Sequence, residues 1–354
     1  MQMNPGAIAA PRPRIAFLGL GWIGRHRMQA MAQAGDIQIA ALADPDADAV
    51  RAAADLAADL ALPDLAADLA PAAIVGGDLR ALLDRRPDGV VIATPSALHA
   101  AQSIEALEAG AAVFCQKPLG RDARETAAVV QAARRADRLL GTDLSYRHAA
   151  AFIALRDLIQ GGQLGHVHAM DLTFHNAYGP DKPWFRDRRL SGGGCLIDLG
   201  IHLIDMALWA LAAEDVRCVS AHIRAGGRPL SQHPDPHAVE DFALATLQTA
   251  QGTVIRLACS WNLPAGRDAV IGIEAFGTRG GGAVANVNGS FFDFAAWHHQ
   301  GTSSRQLVAP PDDWGGRAGA AWAARLRAGA GFDPEAERLV TLARVLDDIY
   351  RAAD

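Results

Sequence analysis

The sequence predicts an α/β protein, in which a doubly wound parallel sheet over residues 12–145 precedes an α+β domain over residues 146–354. Two observations support this prediction. Short apolar runs alternate with helix-like stretches in the first part of the chain, an alternation typical of parallel sheets. Beyond residue 213 apolar runs follow one another across short turns, which indicates a mainly antiparallel sheet. The boundary is expected within residues 144–149.

The chain has 354 residues, of which 50% are hydrophobic and 20% charged, and its net charge is −6. Such a composition allows a large core. The acidic balance, without a long run of Lys and Arg, argues against a nucleic-acid partner. No apolar run approaches the roughly 20 residues that span a bilayer. The N-terminus lacks the apolar core of a signal peptide. Four scattered cysteines without C-x-x-C spacing favour a reducing cytoplasm.

The first strand is predicted at residues 14–18, RIAFL, and leads directly into GLGWIG. Three glycines there give the spacing G-x-G-x-x-G at the start of a helix over residues 23–34. The first glycine permits the tight turn, the second lets the backbone approach a pyrophosphate, and the third lets helix and strand pack closely. We expect a dinucleotide against the free N–H groups of this turn. The expected contacts are Gly19, Gly21, Trp22, Ile23 and Gly24.

The second strand, residues 37–43, ends at Asp44. A carboxylate at this position accepts hydrogen bonds from the adenosine ribose and repels the 2′-phosphate of NADP. Asp46 and Asp48 add to the repulsion. The only nearby cation, Arg51, is expected to have a structural role on an exposed helix face. The sequence therefore predicts NAD, with NADP less favoured.

Residues 47–73 are rich in Ala, Leu and Asp, and they predict one helix, a break and a short second helix. A D-x-x-E pattern at residues 122–125 predicts the start of a later helix. Further strands of the parallel sheet are predicted at residues 74–75, 89–93, 112–115 and 139–143. Doubly wound sheets bind ligands at the carboxyl ends of their strands. The residues expected there beside the cofactor are Thr94, Pro95, His99, Gln116 and Lys117.

The second domain begins with a predicted helix over residues 150–160 and a strand over residues 167–174. Later strands are predicted at residues 216–223, 242–247, 253–258, 270–276 and 283–287, before a last helix at residues 334–353. A polar and aromatic loop, residues 178–190, is placed to cover a substrate. The candidate substrate residues are Tyr146, Arg147, Trp184 and Arg186.

Residues 191–205, SGGGCLIDLGIHLID, form the most unusual stretch of the chain. A glycine turn precedes a helix that is apolar nearly all round, so the helix is expected to be buried. Asp198, His202 and Asp205 fall on one stripe of it, at i, i+4 and i+7. Buried groups of this kind must be paired. The stripe therefore faces either a structural network, as expected for Asp205, or a substrate. No histidine group shows metal-ligand spacing, so no metal is expected.

With these motifs in hand, the chain resembles the Gfo/Idh/MocA family of nicotinamide-dependent sugar and polyol oxidoreductases. The resemblance rests on GLGWIG, Asp44, ATPSALH, QKP and GGGCLIDLGIH, and it spans nearly the whole chain. It implies an N-terminal Rossmann domain and an open-faced sheet in the second domain, which packs against other subunits in a homo-oligomer, a dimer or tetramer. It also implies that Lys117, Asp198 and His202 form the catalytic group.

The motif QKP departs from the family pattern, because the family usually has Glu where this chain has Gln116. In relatives that residue lies near the nicotinamide ribose. A neutral amide there keeps a hydrogen bond while changing the charge beside Lys117. Gln116→Glu is accordingly expected to alter cofactor affinity or the pH profile only modestly.

The residue types also suit alcohol oxidation, which removes a hydride from carbon and a proton from oxygen. His202 titrates near neutrality and suits a general base or acid. Lys117 stabilises a developing alkoxide, and Asp198 orients the substrate or tunes the imidazole. The leading hypothesis is an NAD-dependent oxidoreductase of a small sugar, polyol or inositol-like substrate. The alternatives are a glycoside hydrolase that retains NAD and a non-catalytic dinucleotide-binding regulator.

Overall fold

The computed structural model describes residues 11–60, 73–76 and 78–353. Its first domain is a six-stranded parallel sheet in the order β3-β2-β1-β4-β5-β6. The strands are β1 (Arg14–Leu18), β2 (Gln38–Asp44), β3 (Ala73–Val75), β4 (Gly89–Ile92), β5 (Ala112–Cys115) and β6 (Leu140–Thr142). The helices are α1 (Trp22–Ala34), α2 (Ala47–Asp59), α3 (Leu79–Leu83), α4 (Ser96–Glu108) and α5 (Ala123–Ala136).

The order of these strands confirms the predicted doubly wound sheet. It reverses between β1 and β4, and the crevice outside the carboxyl ends of the strands at such a point is where this fold binds ligands. The short α3, which begins after its N-cap Asp78, was not predicted, because five residues are too few to show helical periodicity. The second helix predicted within residues 61–72 lies outside the described residues.

The second domain is built on a nine-stranded sheet in the order β15-β14-β13-β12-β7-β11-β10-β8-β9. The strands are β7 (Val167–Asn176), β8 (Val216–Ala225), β9 (Arg228–Pro229), β10 (Phe242–Thr249), β11 (Val254–Ser260), β12 (Ala269–Gly277), β13 (Gly281–Asn286), β14 (Phe294–Gln300) and β15 (Ser303–Val308). All neighbours are antiparallel except β7 and β11, so the predicted mainly antiparallel sheet is confirmed.

Three of these strands, β9, β14 and β15, were not predicted, and β9 has only two residues. β14 begins with three buried residues, Phe294 to Ala296, and a strand covered on both faces shows no alternation of polar and apolar residues. β15 is an edge strand whose first four residues are exposed, so it lacks an apolar face as well.

The helices of the second part of the chain are α6 (Ala150–Gln160), α7 (Arg188–Ser191), α8 (Ile201–Leu211), α9 (Arg317–Arg327) and α10 (Glu337–Ala352). Of these, α6, α8 and α10 pack against strands of the nine-stranded sheet. A five-residue π-helical turn, Leu196–Gly200, leads into α8, and its apolar side chains are buried in the domain core together with most of α8. The prediction of a buried helix is thereby confirmed, although its first turn is wider than an α-helix.

The stretch Arg188–Leu211 is also long and apolar enough to span a membrane, with a mean hydropathy of 1.6. The sequence analysis found no such run. In the structure 78% of its apolar window is buried inside the protein, which is the position of a core helix. This burial accounts for its hydrophobicity without a bilayer.

The last two helices return to the first domain. α9, which was not predicted, places Trp322 against the ring of Phe114 at a centroid distance of 5.7 Å. Close approach is possible because Gly89 and Gly141 lie beneath the indole, where an added Cβ would come within 2.7 and 2.8 Å of it. α10 packs on both α5 and β8. The predicted division at residues 145/146 stays a prediction, but these helices cross it.

Candidate active site

The glycine turn between β1 and α1 has the geometry that a dinucleotide requires. Gly19 has a φ of 89°, and a Cβ added to it would lie 2.5 Å from the carbonyl oxygen of Ala93. A Cβ on Gly24 would lie 2.0 Å from the carbonyl oxygen of Gly19, whereas no described heavy atom lies within 4 Å of a Cβ built on Gly21. The outer glycines are therefore needed for packing, and the middle one faces open space beside the free N–H groups of α1. These residues fit a bound pyrophosphate.

Asp44 stands at the end of β2 beside this turn. Its Oδ2 accepts a hydrogen bond from the backbone N–H of Leu20 at 2.6 Å, and its Oδ1 accepts one from that of Asp46 at 2.9 Å. Each carboxylate oxygen has a further lone pair, so Asp44 can still accept ribose hydroxyls. Arg51 pairs instead with Asp48 on the exposed face of α2, which agrees with the structural role expected for it.

The residues predicted after β4 divide into two groups. Pro95 and Thr94 form the turn before α4, and the Thr94 hydroxyl donates to Gln102 at 2.6 Å. His99 is buried, and its two ring nitrogens each lie 2.7 Å from a backbone carbonyl oxygen, one of Thr94 and one of Pro118. Burial lowers the pKa of His99. Because both nitrogens contact the backbone, His99 braces the turns after β4 and β5 and presents no free nitrogen to a cofactor.

Lys117, at the end of β5, reaches across to the other domain. Its Nζ donates to Asp198 Oδ1 at 2.6 Å and to the Asp198 carbonyl oxygen at 2.7 Å. The other carboxylate oxygen, Oδ2, accepts a hydrogen bond from the indole of Trp261 at 3.2 Å. Asp198 was expected to orient the substrate or tune His202. Its carboxylate instead holds Lys117, and the third ammonium hydrogen remains for a substrate oxygen.

His202 lies one turn along the same helix. Its ring packs edge-on against Tyr146 with a centroid distance of 4.9 Å. Burial, and then the charges of Lys117 and Arg27, place the pKa of His202 well below its usual value. This shift favours the neutral imidazole, which has a free lone pair for a proton, and it also makes the ring a weaker base. Burial, with the nearby charge of Asp198, raises the pKa of Tyr146, which keeps its phenol protonated.

Arg147 and Asp205 form a buried ion pair, in which Arg147 Nε donates to Asp205 Oδ2 at 2.9 Å and a second guanidinium nitrogen contacts Oδ1. The structural role predicted for Asp205 is confirmed. The guanidinium of Arg147 is thus held by a carboxylate that is 2% exposed, and its expected contact with a substrate stays a prediction.

A buried network lies under the cofactor side of the site and includes three residues that the sequence analysis did not single out, Arg27, Asp143 and Ser145. Asp143 Oδ2 accepts hydrogen bonds from Arg27 Nε at 2.5 Å and from the side-chain amide of Gln116. Asp143 Oδ1 accepts one from the Ser145 hydroxyl at 2.5 Å, and Arg27 also donates to that hydroxyl. Gln116 is thus a donor to a carboxylate, a role that Glu cannot fill when ionised.

The loop that precedes the three glycines at residues 192–194 carries a row of aromatic side chains that leads to Asp198. Trp184 stacks on Phe185 at a centroid distance of 3.8 Å, and Phe185 meets the edge of Trp261 at 6.4 Å. Trp184 is therefore connected to the site through Trp261. Arg186, predicted with it, is exposed on the same loop.

One of the missed residues left a signal that could have been used. Arg27 occupies the buried face of α1 with Gly24, Met28 and Met31, and a charged residue on an apolar face needs a partner. Trp261 follows directly after β11, but nothing local indicates that it reaches Asp198. Within the described residues no group of three or more His, Cys, Asp or Glu is arranged to hold a metal ion.

Comparison with known families assigns both domains. Residues 13–144 match the model of the oxidoreductase family with an NAD-binding Rossmann fold, and residues 152–283 match the GFO/IDH/MocA C-terminal domain. D-glucoside 3-dehydrogenase of Escherichia coli (strain K12) is 28% identical over 211 residues, which cover 57% of this chain and 60% of the relative. The similarity thus spans less than two thirds of that protein.

Solved structures share the fold over nearly the whole chain. GenD2 from gentamicin A biosynthesis, in complex with NAD, superposes with a TM-score of 0.74 at 24% identity and covers 99% of this chain and 97% of its own. KijD10, a 3-ketoreductase from Actinomadura kijaniata in complex with NADP and TDP-benzene, gives 0.79 at 21% identity, with coverages of 97% and 98%.

The glycine turn between β1 and α1 generates a paired prediction. Gly24→Ala forces a Cβ against the Gly19 carbonyl oxygen and should lower the free energy of unfolding by about 1–3 kcal/mol. Gly21→Ala should leave stability within about 0.5 kcal/mol of the parent, because its Cβ meets no described atom, yet weaken dinucleotide binding by filling the phosphate approach. Urea unfolding and a dinucleotide titration of both variants measure this. Equal binding by Gly21→Ala and the parent would contradict it.

The network around Asp143 generates a second prediction. Gln116→Glu places a carboxyl group against that of Asp143, and the pKa of the introduced group should rise through burial and like charge. A raised folded-state pKa means that stability is lost as pH increases. The deficit in Tm relative to the parent should therefore widen between about pH 5 and pH 8. This effect exceeds the modest one expected from the sequence.

The control for this experiment is Gln131→Glu, which makes the same change at an exposed position of α5. Its Tm should follow that of the parent across the same pH range. A Gln116→Glu deficit that is constant with pH, or that narrows as pH rises, would count against the direct contact with Asp143.

The position of His202 generates a third prediction. Lys117→Met removes a positive charge that lowers the pKa of His202, so that pKa should rise. An NMR titration with the histidine rings labelled with ¹³C measures it directly, and Arg51→Met, on the exposed face of α2, is the control. An unchanged or lower pKa in Lys117→Met would show that the two side chains are not electrostatically coupled.

Proposed function

Because the chain belongs to the Gfo/Idh/MocA family of oxidoreductases, we propose that it interconverts a secondary alcohol and a ketone on a small sugar, polyol or inositol-like substrate, with NAD as its cofactor. The observation that supports this most directly is the convergence of Lys117 and Asp198, from separate domains, beside the crevice at the ends of β1, β4 and β5. A relative acts on a D-glucoside, and a structural neighbour is a 3-ketoreductase.

The residues present fit a nicotinamide dinucleotide. The glycine turn and the first N–H groups of α1 would hold the pyrophosphate, and Asp44 the adenosine ribose. When bound, the nicotinamide supplies hydride transfer to or from the substrate carbon. A carboxylate facing the ribose disfavours a 2′-phosphate, and Asp46 and Asp48 lie in the same segment. These charges are the reason for proposing NAD over NADP.

The chain's own residues then bind the substrate oxygen and transfer its proton. Lys117 directs its remaining N–H at this oxygen and stabilises the negative charge that develops there. Asp198 holds the ammonium in place, and Trp261 in turn binds the Asp198 carboxylate. His202, which is neutral, accepts the hydroxyl proton in the oxidation direction and returns it in the reduction direction. Tyr146 packs against His202 and limits the rotation of its ring, and Trp184 and Arg186 face the substrate from their loop.

We extend the proposal to assembly and location. Val219, Leu244 and Phe276 are 54, 42 and 39% exposed on strands of the second sheet, and apolar side chains on an open face favour association with another copy, in a dimer or tetramer. The four free cysteines suit a reducing cytoplasm. Analytical ultracentrifugation tests whether the protein forms a dimer or tetramer. Fractionation of the source cells tests the cytoplasmic location.

A screen of sugars, glycosides and inositols with NAD, following the absorbance of NADH, tests the activity itself. Net NADH formation with a carbohydrate supports an oxidoreductase. Glycoside cleavage without net NADH would instead identify the hydrolase that retains its cofactor. Dinucleotide binding without either reaction, in either direction, would support the alternative of a non-catalytic dinucleotide-binding regulator.

Cofactor selectivity follows from Asp44. NAD should bind at least about tenfold more tightly than NADP, a difference of about 1.4 kcal/mol. Asp44→Ala should narrow the gap, but it also removes the acceptor of the Leu20 N–H. Asp44→Asn is the sharper variant, because it removes the charge and keeps an acceptor oxygen for the Leu20 N–H, at the cost of the acceptor for the Asp46 N–H. Calorimetric titrations of both cofactors measure this, and equal or reversed affinities in the parent would refute it.

Lys117, Asp198 and His202 should behave as one catalytic unit. His202→Ala should reduce kcat by roughly 10²–10⁴, the range for a lost general base, while NAD affinity is retained. Lys117→Ala should cost a comparable factor, and the double variant far less than the product of both. His168→Ala, at an exposed position of β7, is the control. Normal turnover by His202→Ala would exclude this mechanism.

A further inference from the structure

The three glycines before the catalytic helix differ in what they contact. Gly192, with a φ of 89°, ends α7 in the left-handed region. A Cβ on Gly193 would lie 1.9 Å from the hydroxyl oxygen of Tyr350, and a Cβ on Gly194 would lie 1.9 Å from the backbone oxygen of Glu240. The turn is therefore closely fitted against these two residues, one from α10 and one from the segment before β10.

Glu240 is fully buried and binds this turn through both its backbone and its side chain. Its Oε1 accepts hydrogen bonds from the N–H groups of Gly194 and Leu196, each at 2.9 Å, and from the hydroxyl of Tyr350 at 2.8 Å. Its backbone oxygen accepts the N–H of Cys195 at 3.0 Å. One residue thus satisfies three successive N–H groups at the start of the helical run.

A carboxylate at this position complements the partial positive charge of a helix N-terminus. The N–H of Asp198 donates to the carbonyl oxygen of Gly194 at 3.0 Å, so Asp198 belongs to the first turn that Glu240 fixes. Lys117 in turn binds both the carboxylate and the backbone of Asp198. A shift of the turn at residues 192–194 would therefore also move the ammonium group of Lys117.

We propose that Glu240 is a positioning residue, which places Asp198 and through it Lys117 by capping the N-terminus of the catalytic helix, with Tyr350 as its support. The proposal rests on the function proposed above, because its kinetic consequence needs a catalytic role for Lys117. Burial raises the pKa of Glu240, and its hydrogen-bond donors act in the opposite direction. The second oxygen, Oε2, is buried without a hydrogen-bond partner among the described residues, so Oε1 alone carries the contacts.

The location of Oε2 makes a conservative variant informative. Glu240→Gln keeps an oxygen for the three donors and puts its NH₂ group where Oε2 now has no partner. Glu240→Ala removes the acceptor altogether. The matched control is Glu214→Gln, at an exposed position after α8 that is 3.9 Å from Arg338.

The experiment measures three quantities on each full-length variant: kcat and KM with a carbohydrate that the parent turns over, the dissociation constant for NAD, and amide hydrogen exchange of residues 192–198. Glu240→Ala should lose roughly 10–100-fold in kcat, as expected when a reacting group is misplaced by about 1 Å. Its NAD affinity should stay within about threefold of the parent, and exchange of residues 192–198 should accelerate at least about tenfold. Glu240→Gln should restore kcat to within about threefold.

A folded Glu240→Ala variant with the kcat of the parent would overturn the proposal. The proposal would also be overturned if the loss of kcat in Glu240→Ala equalled the fraction of that variant that is unfolded, because a purely structural role gives this result. If Glu240→Ala does not fold, Tyr350→Phe removes one donor to Oε1 and keeps the ring. This variant should show a smaller loss of kcat and faster exchange of the same segment, and parent values for both would overturn the proposal.

The exchange measurement separates this proposal from the function on which it rests. If the parent protein transfers no hydride with any carbohydrate, the proposed function fails. The comparison of Glu240→Ala with Glu240→Gln by exchange still shows whether Glu240 fixes the turn that contains Asp198, and unchanged exchange in Glu240→Ala would refute that directly.

Discussion

The ion pair between Lys117 and Asp198 is the contact on which the arrangement of the site depends. Its partners come from different domains, one from the end of β5 and one from the π-helical turn before α8. Each side chain is 17% exposed, so an unpaired charge at either position would be costly. Because Trp261 satisfies the second carboxylate oxygen, the pair has one preferred geometry, and the dinucleotide crevice and the buried helix are held in one relation to each other.

Local patterns predicted most of the fold. The alternation of strands and helices up to β6, the glycine turn and Asp44 each depend on neighbouring residues, so the sequence was sufficient for them. It was not sufficient for α9, whose Trp322 finds its partners only in the parallel sheet. Nor could it place β14 and β15, one of which begins with buried residues on both faces while the other is largely exposed. Neither shows the alternation from which strands are predicted.

At the candidate site, the sequence named the residues of the central pair but not how they interact. It assigned Asp198 to the substrate or to His202, because spacing along a helix cannot reveal a lysine 81 positions away. The partner of Gln116 was hidden for the same reason, since Asp143 lies 27 positions away, and Arg27, which binds the same carboxylate, is 116 residues from Asp143. The partner of Arg147 was hidden as well, because Asp205 lies 58 positions later in the same domain. Long-range pairing, rather than residue type, was the missing information.

The return of α9 to the first domain has a consequence for how the protein is made. Part of one apolar face of the first domain, including Phe114 of β5 and Met31 of α1, is covered by residues 317–327. A ribosome synthesises the chain from its N-terminus, so this apolar face stays uncovered while the whole nine-stranded sheet is being translated. The first domain therefore cannot complete its core as an independent unit during synthesis. Nascent chains that stop after β15 should need a chaperone, whereas chains that include α9 should not.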